Sequence, residues 1–184
     1  MLFVISAPSG AGKTTIIKEL LREAPELEFS VSATTRKMRE GEQQGKDYYF
    51  LTEEEFDKKI KEGKFAEWET VHIHRYGTLK SEIEKYINSK CNLVFDVDVK
   101  GALSIKKLYH EAIMIFIDVP TKQLLERLKK RNTESEEEMK KRYERMELEI
   151  KEKEHFDYVV DNSDKPDGVK IAVSELKKII NRYN

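Results

Sequence analysis

An apolar run, Leu2-Phe3-Val4-Ile5, leads almost directly into Ala7-Pro8-Ser9-Gly10-Ala11-Gly12-Lys13-Thr14-Thr15, and that stretch leads into Ile16, Ile17, Leu20 and Leu21 at helical spacing. A strand, a glycine-rich turn and a helix with Gly-Lys-Thr at the junction form the phosphate-binding P-loop. Gly10 and Gly12 let the backbone turn tightly and aim successive N–H groups inward. The helix N-terminus adds partial positive charge at the same place. Lys13 has the reach for the β- and γ-phosphates of a polyphosphate, and the Thr14 hydroxyl is a ligand for Mg²⁺. The usual pattern opens with glycine, where this chain has Ala7. A small residue is tolerated there if its φ is negative.

The rest of the chain limits what such a loop can serve. Its 184 residues suffice for one domain with a real core and small insertions. A formal net charge of −1 leaves no basic field for bulk nucleic-acid or membrane binding. Charged residues of both signs make up 38% of the chain and read as a solvated surface. The single cysteine, Cys91, excludes an intrachain disulfide and fits a reducing compartment. Residues 1 to 6 lack the basic start of a secretory leader and no apolar stretch approaches membrane-spanning length, so the expected address is the cytoplasm.

Short apolar runs recur at Leu2 to Ile5, Leu93 to Val97, Ile113 to Ile117 and Tyr158 to Val160, separated by helical patterns. That alternation predicts an α/β fold with a parallel sheet covered on both faces. Helices are expected from about Lys13 to Ala24, at about 121 to 131 with Leu124, Leu125 and Leu128, and at the end with Val169, Val173, Leu176, Ile180 and Tyr183. Residues 30 to 80 break the rhythm. A polar, β-prone Ser30 to Thr35 and a charged turn precede a strand at Tyr48 to Leu51. Thr52 and Glu55 make a capping box, with Leu51 and Phe56 as a hydrophobic staple, for a short helix ending near Gly63. This reads as a small α+β insertion overhanging the carboxyl ends of the strands, where open α/β sheets bind ligands. Ser135 and Glu138 make a second capping box, before a charged helix whose apolar stripe (Met139, Tyr143, Met146, Ile150) is narrow. So thin a face predicts weak packing and a moving element.

Ser30-Val31-Ser32-Ala33-Thr34-Thr35-Arg36, Arg39-Glu40-Gly41-Glu42 and Gly45-Lys46-Asp47-Tyr48 together resemble the nucleotide-acceptor module of guanylate kinases. The resemblance continues through Phe65-Ala66-Glu67-Trp68, Tyr76-Gly77-Thr78 and Asp96-Val97-Asp98-Val99-Lys100-Gly101. It resumes at Arg127-Leu128, Arg131, Arg142, Asp157-Tyr158-Val159-Val160 and Asn162. It implies a P-loop NTPase-type parallel-sheet core flanked by helices (residues 1–30, 82–130 and 155–184), a small α+β GMP-binding insertion (31–81) and a helical lid with the following helix (131–154). The implied reaction is ATP + GMP to ADP + GDP with Mg²⁺, with dGMP as a further acceptor. The partners implied are these small molecules, with no nucleic acid and no membrane.

Residue by residue, the resemblance implies that the loop from Ala7 to Thr15 takes the ATP phosphates. Arg36, Arg39, Tyr48 and Tyr76 would hold the GMP phosphate, with Glu42 and Gly77 in the same site. Glu67 and Ser32 would read guanine, assisted by Thr78. Asp96 falls, with Thr14, in the Mg²⁺ environment, and Asp98 on the GMP side. Arg127, Arg131 and Asn162 belong with ATP. Lys13, Arg36, Arg131 and Arg142 are the implied catalytic set, the last two moving with the lid.

The residue types suit these roles. A monophosphate is held best by a bidentate cation, which arginine supplies. A carboxylate accepts from guanine N1–H and the 2-amino group together, and a hydroxyl donates to O6. Asp96 and Asp98, two apart at a strand end, share one face; capping of the next helix is their other reading. Lys100 stands where the family usually has glutamine, and Asn132 where glycine is common. Three other readings stay open: a non-catalytic phosphopeptide-binding module of the same fold, a kinase for another nucleoside monophosphate, and a zinc site at His72 and His74.

Overall fold

The structure, a computed structural model, describes residues 1–71, 73–89, 91–130 and 136–183. In chain order the elements begin with β1 (Leu2–Ser6), α1 (Lys13–Glu23), β2 (Glu28–Phe29), β3 (Ala33–Thr34), β4 (Tyr49–Phe50) and α2 (Glu53–Lys61). A hairpin, β5 (Phe65–Val71) and β6 (His74–Leu79), leads to α3 (Lys80–Ser89), β7 (Leu93–Asp96), α4 (Val99–Leu108) and β8 (Ile113–Asp118). The chain ends with α5 (Thr121–Lys130), α6 (Glu136–Lys151), a 3₁₀ turn at Glu152–His155, β9 (Tyr158–Asp161) and α7 (Gly168–Ile180).

Two sheets divide this list. The first has the order β2-β7-β1-β8-β9, every pairing parallel. Its strands alternate between two apolar faces. Phe3, Ile5, Val94, Ile115 and Ile117 pack with Ile16 and Leu20 of α1, Leu124 and Leu128 of α5, and Val173 and Leu176 of α7. Val4, Leu93, Phe95, Met114 and Phe116 pack with Ile83 of α3 and with Val99, Ala102 and Ile105 of α4. Strands hydrophobic on both sides can only be interior, which is why their sequences read as unbroken apolar runs.

The second sheet, β4-β3-β6-β5, is mixed and smaller. Its core is Ala33, Phe56, Phe65 and Leu79, with Tyr49, Leu51 and Ile60 at its margin. Phe56 stacks on Phe65 at a centroid distance of 4.4 Å. The expected capping box fixes α2: Thr52 Oγ1 accepts from Glu55 N at 3.1 Å, and Thr52 N donates to Glu55 Oε2 at 2.8 Å.

The expected strands and the helices α1, α5 and α7 form where the periodicity places them, within a residue or two. The β5–β6 hairpin and α3 have no counterpart in the residue-level reading. In β5 only Phe65 and Ala66 are buried, so the strand shows no regular alternation. α3 buries Ile83 against the main sheet while Ile87 stays exposed, too thin a stripe to stand out. The second capping box begins at Ser135, outside the described residues. α6 is anchored more firmly than its thin stripe predicts, because Met146 is 1% exposed and sits in the same cluster as α1, α5 and α7. Among the described residues no helix is long and apolar enough to cross a membrane.

Candidate active site

The glycine-rich loop turns at the carboxyl end of β1, in the middle of the parallel sheet. Gly10 and Gly12 have φ of 90° and 85°. At Gly12 a Cβ would also stand 2.9 Å from Asn162 Nδ2, so both space and backbone demand glycine. Ala7 is absent from the positive-φ residues, which satisfies the condition set for it. Ala11 N donates to Pro8 O at 3.1 Å and closes the turn. No side chain caps α1, so its first N–H groups remain directed at the loop. Lys13 Nζ is 2.6 Å from Asp96 Oδ1 and also donates to the Val97 carbonyl. Thr14 Oγ1 lies 3.5 Å from Asp96 Oδ2. The loop, Thr14 and Asp96 thus converge where strand ends and helix start meet.

A cleft of about 370 Å³ opens on one side of the loop. Lys13, Thr14, Ser32, Tyr48, Glu67, Tyr76, Gly77, Asp96 and Asp98 line it, with Asp47 and Val97 from the same blocks of sequence and with residues no motif pointed to: Phe29, Glu69 and Val71. Burial pushes the Glu67 carboxyl up to about 7; the nearby Asp98 charge adds to that, while hydrogen bonds from Thr78 oppose it. Thr78 Oγ1 donates to Glu67 Oε1 at 2.6 Å, which fixes the orientation of that carboxyl. A Cβ at Gly77 would fall 2.8 Å from the Glu67 carbonyl oxygen, so glycine there lets β5 and β6 close behind the carboxylate.

Arg36 stands at the edge of this cleft. Its guanidinium forks onto Glu42 at 2.7 and 3.0 Å and lies 5.3 Å from the Tyr48 ring centroid. Glu42 also accepts from Arg39 N at 2.7 Å, and these bonds hold its carboxyl down to about 2. The pair makes Arg36 still harder to deprotonate. Glu42 therefore ties the Arg36 side chain to the main chain of Arg39. Tyr48 and Tyr76 meet edge to face at 6.0 Å. The Arg39 side chain is exposed at the turn. Asp98 Oδ1 accepts from Gly101 N at 2.7 Å and caps α4, so the helix-capping reading holds for Asp98 alongside its place in the cleft.

On the loop's other side a cleft of about 500 Å³ is lined by Gly10, Gly12, Thr15, Arg127, Asn162, Ser163, Asp164, Lys165, Gly168 and Val169. Arg127 braces the loop: Nη1 donates to Ala11 O at 3.3 Å, and Nη2 to Asn162 O at 2.9 Å and to Asp164 at 2.6 Å. Asn162 Nδ2 donates to Ala11 O at 2.7 Å. Over the loop, Arg142 of α6 donates from Nη2 to Ser9 Oγ at 3.0 Å, and Ser9 N donates to Glu149 at 3.3 Å. Arg131 and Asn132 lie outside the described residues. Arg145, which no motif pointed to, reaches from α6 to Glu69 and Asp98 in the wall of the first cleft. Its partners stand 76 and 47 residues away, so no local pattern reveals it.

Lys100 is 82% exposed and 3.9 Å from Glu69, mostly in solvent. His74 opens β6, while His72 lies outside the described residues. Among the described residues no three metal-ligating side chains cluster.

The family model described as guanylate kinase matches residues 1–183. A guanylate kinase of Thermotoga maritima is 48% identical over 177 residues, covering 96% of this chain and 86% of that protein. One from Mycoplasma genitalium is 44% identical over 182 residues, covering 97% and 74%. The crystal structure of guanylate kinase from Anaplasma phagocytophilum aligns with a TM-score of 0.77 at 27% identity, covering all of this chain and 85% of that one. Shikimate kinase from Bacteroides thetaiotaomicron, with a TM-score of 0.57 at 14% identity over 98% of both chains, is similar in fold alone.

Proposed function

The chain belongs to the guanylate kinase family and is a GMP-phosphorylating enzyme, and from that premise we propose how its residues divide the work. ATP lies with its phosphates in the loop of residues 7–15 and its base toward Arg127 and Asn162. GMP lies in the opposite cleft, its phosphate on Arg36, Arg39, Tyr48 and Tyr76 and its base on Glu67, Ser32 and Asp98. The observation that carries this reading is the pair of clefts sharing the loop as a common wall, with a half-buried carboxylate, Glu67, lining one of them.

The chemistry needs little beyond positioning. The second pKa of a phosphate monoester is about 6, so the acceptor is largely a dianion at pH 7 and needs no general base. The obstacle is repulsion between two polyanions, which fixed cations offset. Lys13 faces the donor, Arg36 and Arg39 the acceptor. Arg142 already reaches the loop at Ser9, and Arg131 acts with it. Closure of residues 131–154 as a lid over both substrates excludes water and suppresses ATP hydrolysis. The second sheet, with the rest of residues 31–81, serves as the acceptor module and carries Glu67 on β5.

The donors near the loop suit Mg²⁺. Thr14 and Asp96 offer one hydroxyl and one carboxylate, both hard oxygens, side by side. They would hold the ion with phosphate oxygens and waters completing its shell, and the ion supplies charge neutralisation to the phosphates. The enzyme works in the cytoplasm on free nucleotides, GMP and dGMP alike, in purine nucleotide metabolism.

A coupled assay for ADP with an acceptor panel tests the reading. GMP and dGMP are expected to turn over and AMP, CMP and UMP to stay near background. Sites built on hydrogen bonds reject analogues lacking them by up to roughly 10⁴-fold. Comparable rates with AMP would overturn the assignment of Glu67 to guanine.

A further inference from the structure

Some ion pairs outside the two clefts are local and exposed, such as Lys165 with Asp161 and Lys170 with Asp167. Arg145 reaches further. From α6 its Nη2 donates to Asp98 Oδ2 at 2.7 Å and to Glu69 Oε2 at 2.9 Å, while Nε donates to Glu149 Oε1 at 2.9 Å. The three carboxylates belong to three parts of the molecule. Asp98 caps α4 at the main sheet, Glu69 is on β5 of the second sheet, and Glu149 is on α6 itself. Asp98 and Glu69 are both wall residues of the acceptor cleft.

We propose that Arg145 is a positioning residue for the acceptor base: it ties Glu69 and Asp98 together from the lid helix and so makes GMP affinity depend on α6. The proposal rests on the reading that this cleft takes guanine. Three carboxylates within reach of one another repel, and Glu67 adds a fourth to the same cleft. Arginine holds all three at once, one nitrogen, Nη2, bridging Asp98 and Glu69 while Nε holds Glu149. Lys100, mostly in solvent and 3.9 Å from Glu69, is a poor substitute. With Oδ1 engaged by Gly101 N and Oδ2 by Arg145, the Asp98 carboxylate is fixed in orientation. Each oxygen still keeps a lone pair for a ligand N–H, and N–H groups are what guanine presents. Asp98 and Glu69 line an open cleft and the guanidinium is itself partly solvated, so the loss of Arg145 falls on the pocket more than on global stability.

Steady-state kinetics of Arg145→Ala, Arg145→Lys, Glu69→Gln and Asp98→Asn, with melting followed by circular dichroism, test this. Asparagine retains the cap of α4, so D98N keeps the fold. R145A is expected to raise KM for GMP roughly tenfold, the scale at which outer partners of binding groups act, with KM for ATP and the melting curve little changed. R145K recovers only part, because a single ammonium that bridges Glu69 and Asp98 has no second nitrogen to hold Glu149 and fix its own orientation. E69Q raises KM for GMP less, and R145A/E69Q adds little to R145A, since the two changes break one network. If D98N raises KM for GMP and R145A does not, the cleft assignment stands and the role of Arg145 falls. If neither moves it, the guanine assignment of Asp98 falls too. Equal rises in both KM values with a lowered melting temperature would make Arg145 a structural residue only and overturn the proposal.

Discussion

The donor loop and the acceptor cleft adjoin one another but are built by opposite means. The loop presents main-chain N–H groups from one short stretch of chain, held by a strand inside a sheet that is packed on both faces. The cleft presents side chains from Ser32 to Asp98, gathered from two sheets, and the outer sheet rests on a core of four buried residues. A main-chain site is rigid and indifferent to which nucleoside carries the phosphates. A side-chain site is selective and depends on tertiary contacts such as Arg145 with Glu69. The sequence distance between ligand groups thus separates generic phosphate binding from base recognition.

The largest test replaces Lys13 with methionine. Fixed charge aimed at a transition state is worth roughly 10²–10³-fold in turnover, and K13M should lose at least that much ADP formation. The melting curve should move little, because the Lys13–Asp96 pair is partly solvated. KM for GMP is the informative number. Lys13 also lines the acceptor cleft, so a large rise in KM for GMP would show that the two sites share a cation and would break the contrast drawn here.

Glu67 tests the acceptor side through pH. Its carboxyl titrates near 7 instead of near 4.5, chiefly because it is buried. A raised acid pKa means that the fold favours the protonated form. That contribution to stability is complete below pH 4.5 and is lost as pH rises through 7. Glu67→Gln should therefore melt progressively higher than the parent between pH 5 and pH 8, by up to about 3 kcal/mol in stability. Guanine needs the ionised form, so the E67Q-to-parent ratio of KM for GMP should grow with pH from 6 to 8. The titration of GMP itself cancels in that ratio. KM for ATP should stay level; an equal loss on both sides would remove Glu67 from base recognition.

The same contrast explains what could be read in advance. The loop, α1, α5 and α7 were legible because each is a local pattern, a motif or a stripe of 3.6 period. Ser32, Tyr48, Tyr76, Gly77 and Asp98 converge as expected because ordered blocks of sequence, not spacing, linked them. Glu69 and Arg145 were invisible. One is an ordinary glutamate on a half-exposed strand and the other an arginine in a run of charge, and only folding makes them neighbours. The bonds of Glu42 to Arg36 and to the main chain of Arg39 were likewise not legible, because no spacing specifies them. The helix α3 escaped because Ile83 is its one fully buried apolar side chain among the described residues, beside a buried glutamate, Glu82, that reads as surface.

The smallest expected effect asks whether the two regions are also separate in stability. Thr52→Ala removes the side-chain half of the capping box that starts α2, at a cost of about 1 kcal/mol. α2 supplies Phe56, the centre of the second sheet's core, and touches neither loop nor main sheet clusters. If the outer sheet opens as its own unit, amide exchange should quicken from Tyr49 to Leu79 while β1, β7 and β8 keep their protection. Turnover at saturating GMP should hold. Should protection instead fall evenly through both sheets, with a melting shift of about 2–4 °C for that loss, the molecule unfolds as one unit. The acceptor site would then owe its adjustability to side chains such as Arg145 alone and not to a softer sheet beneath them.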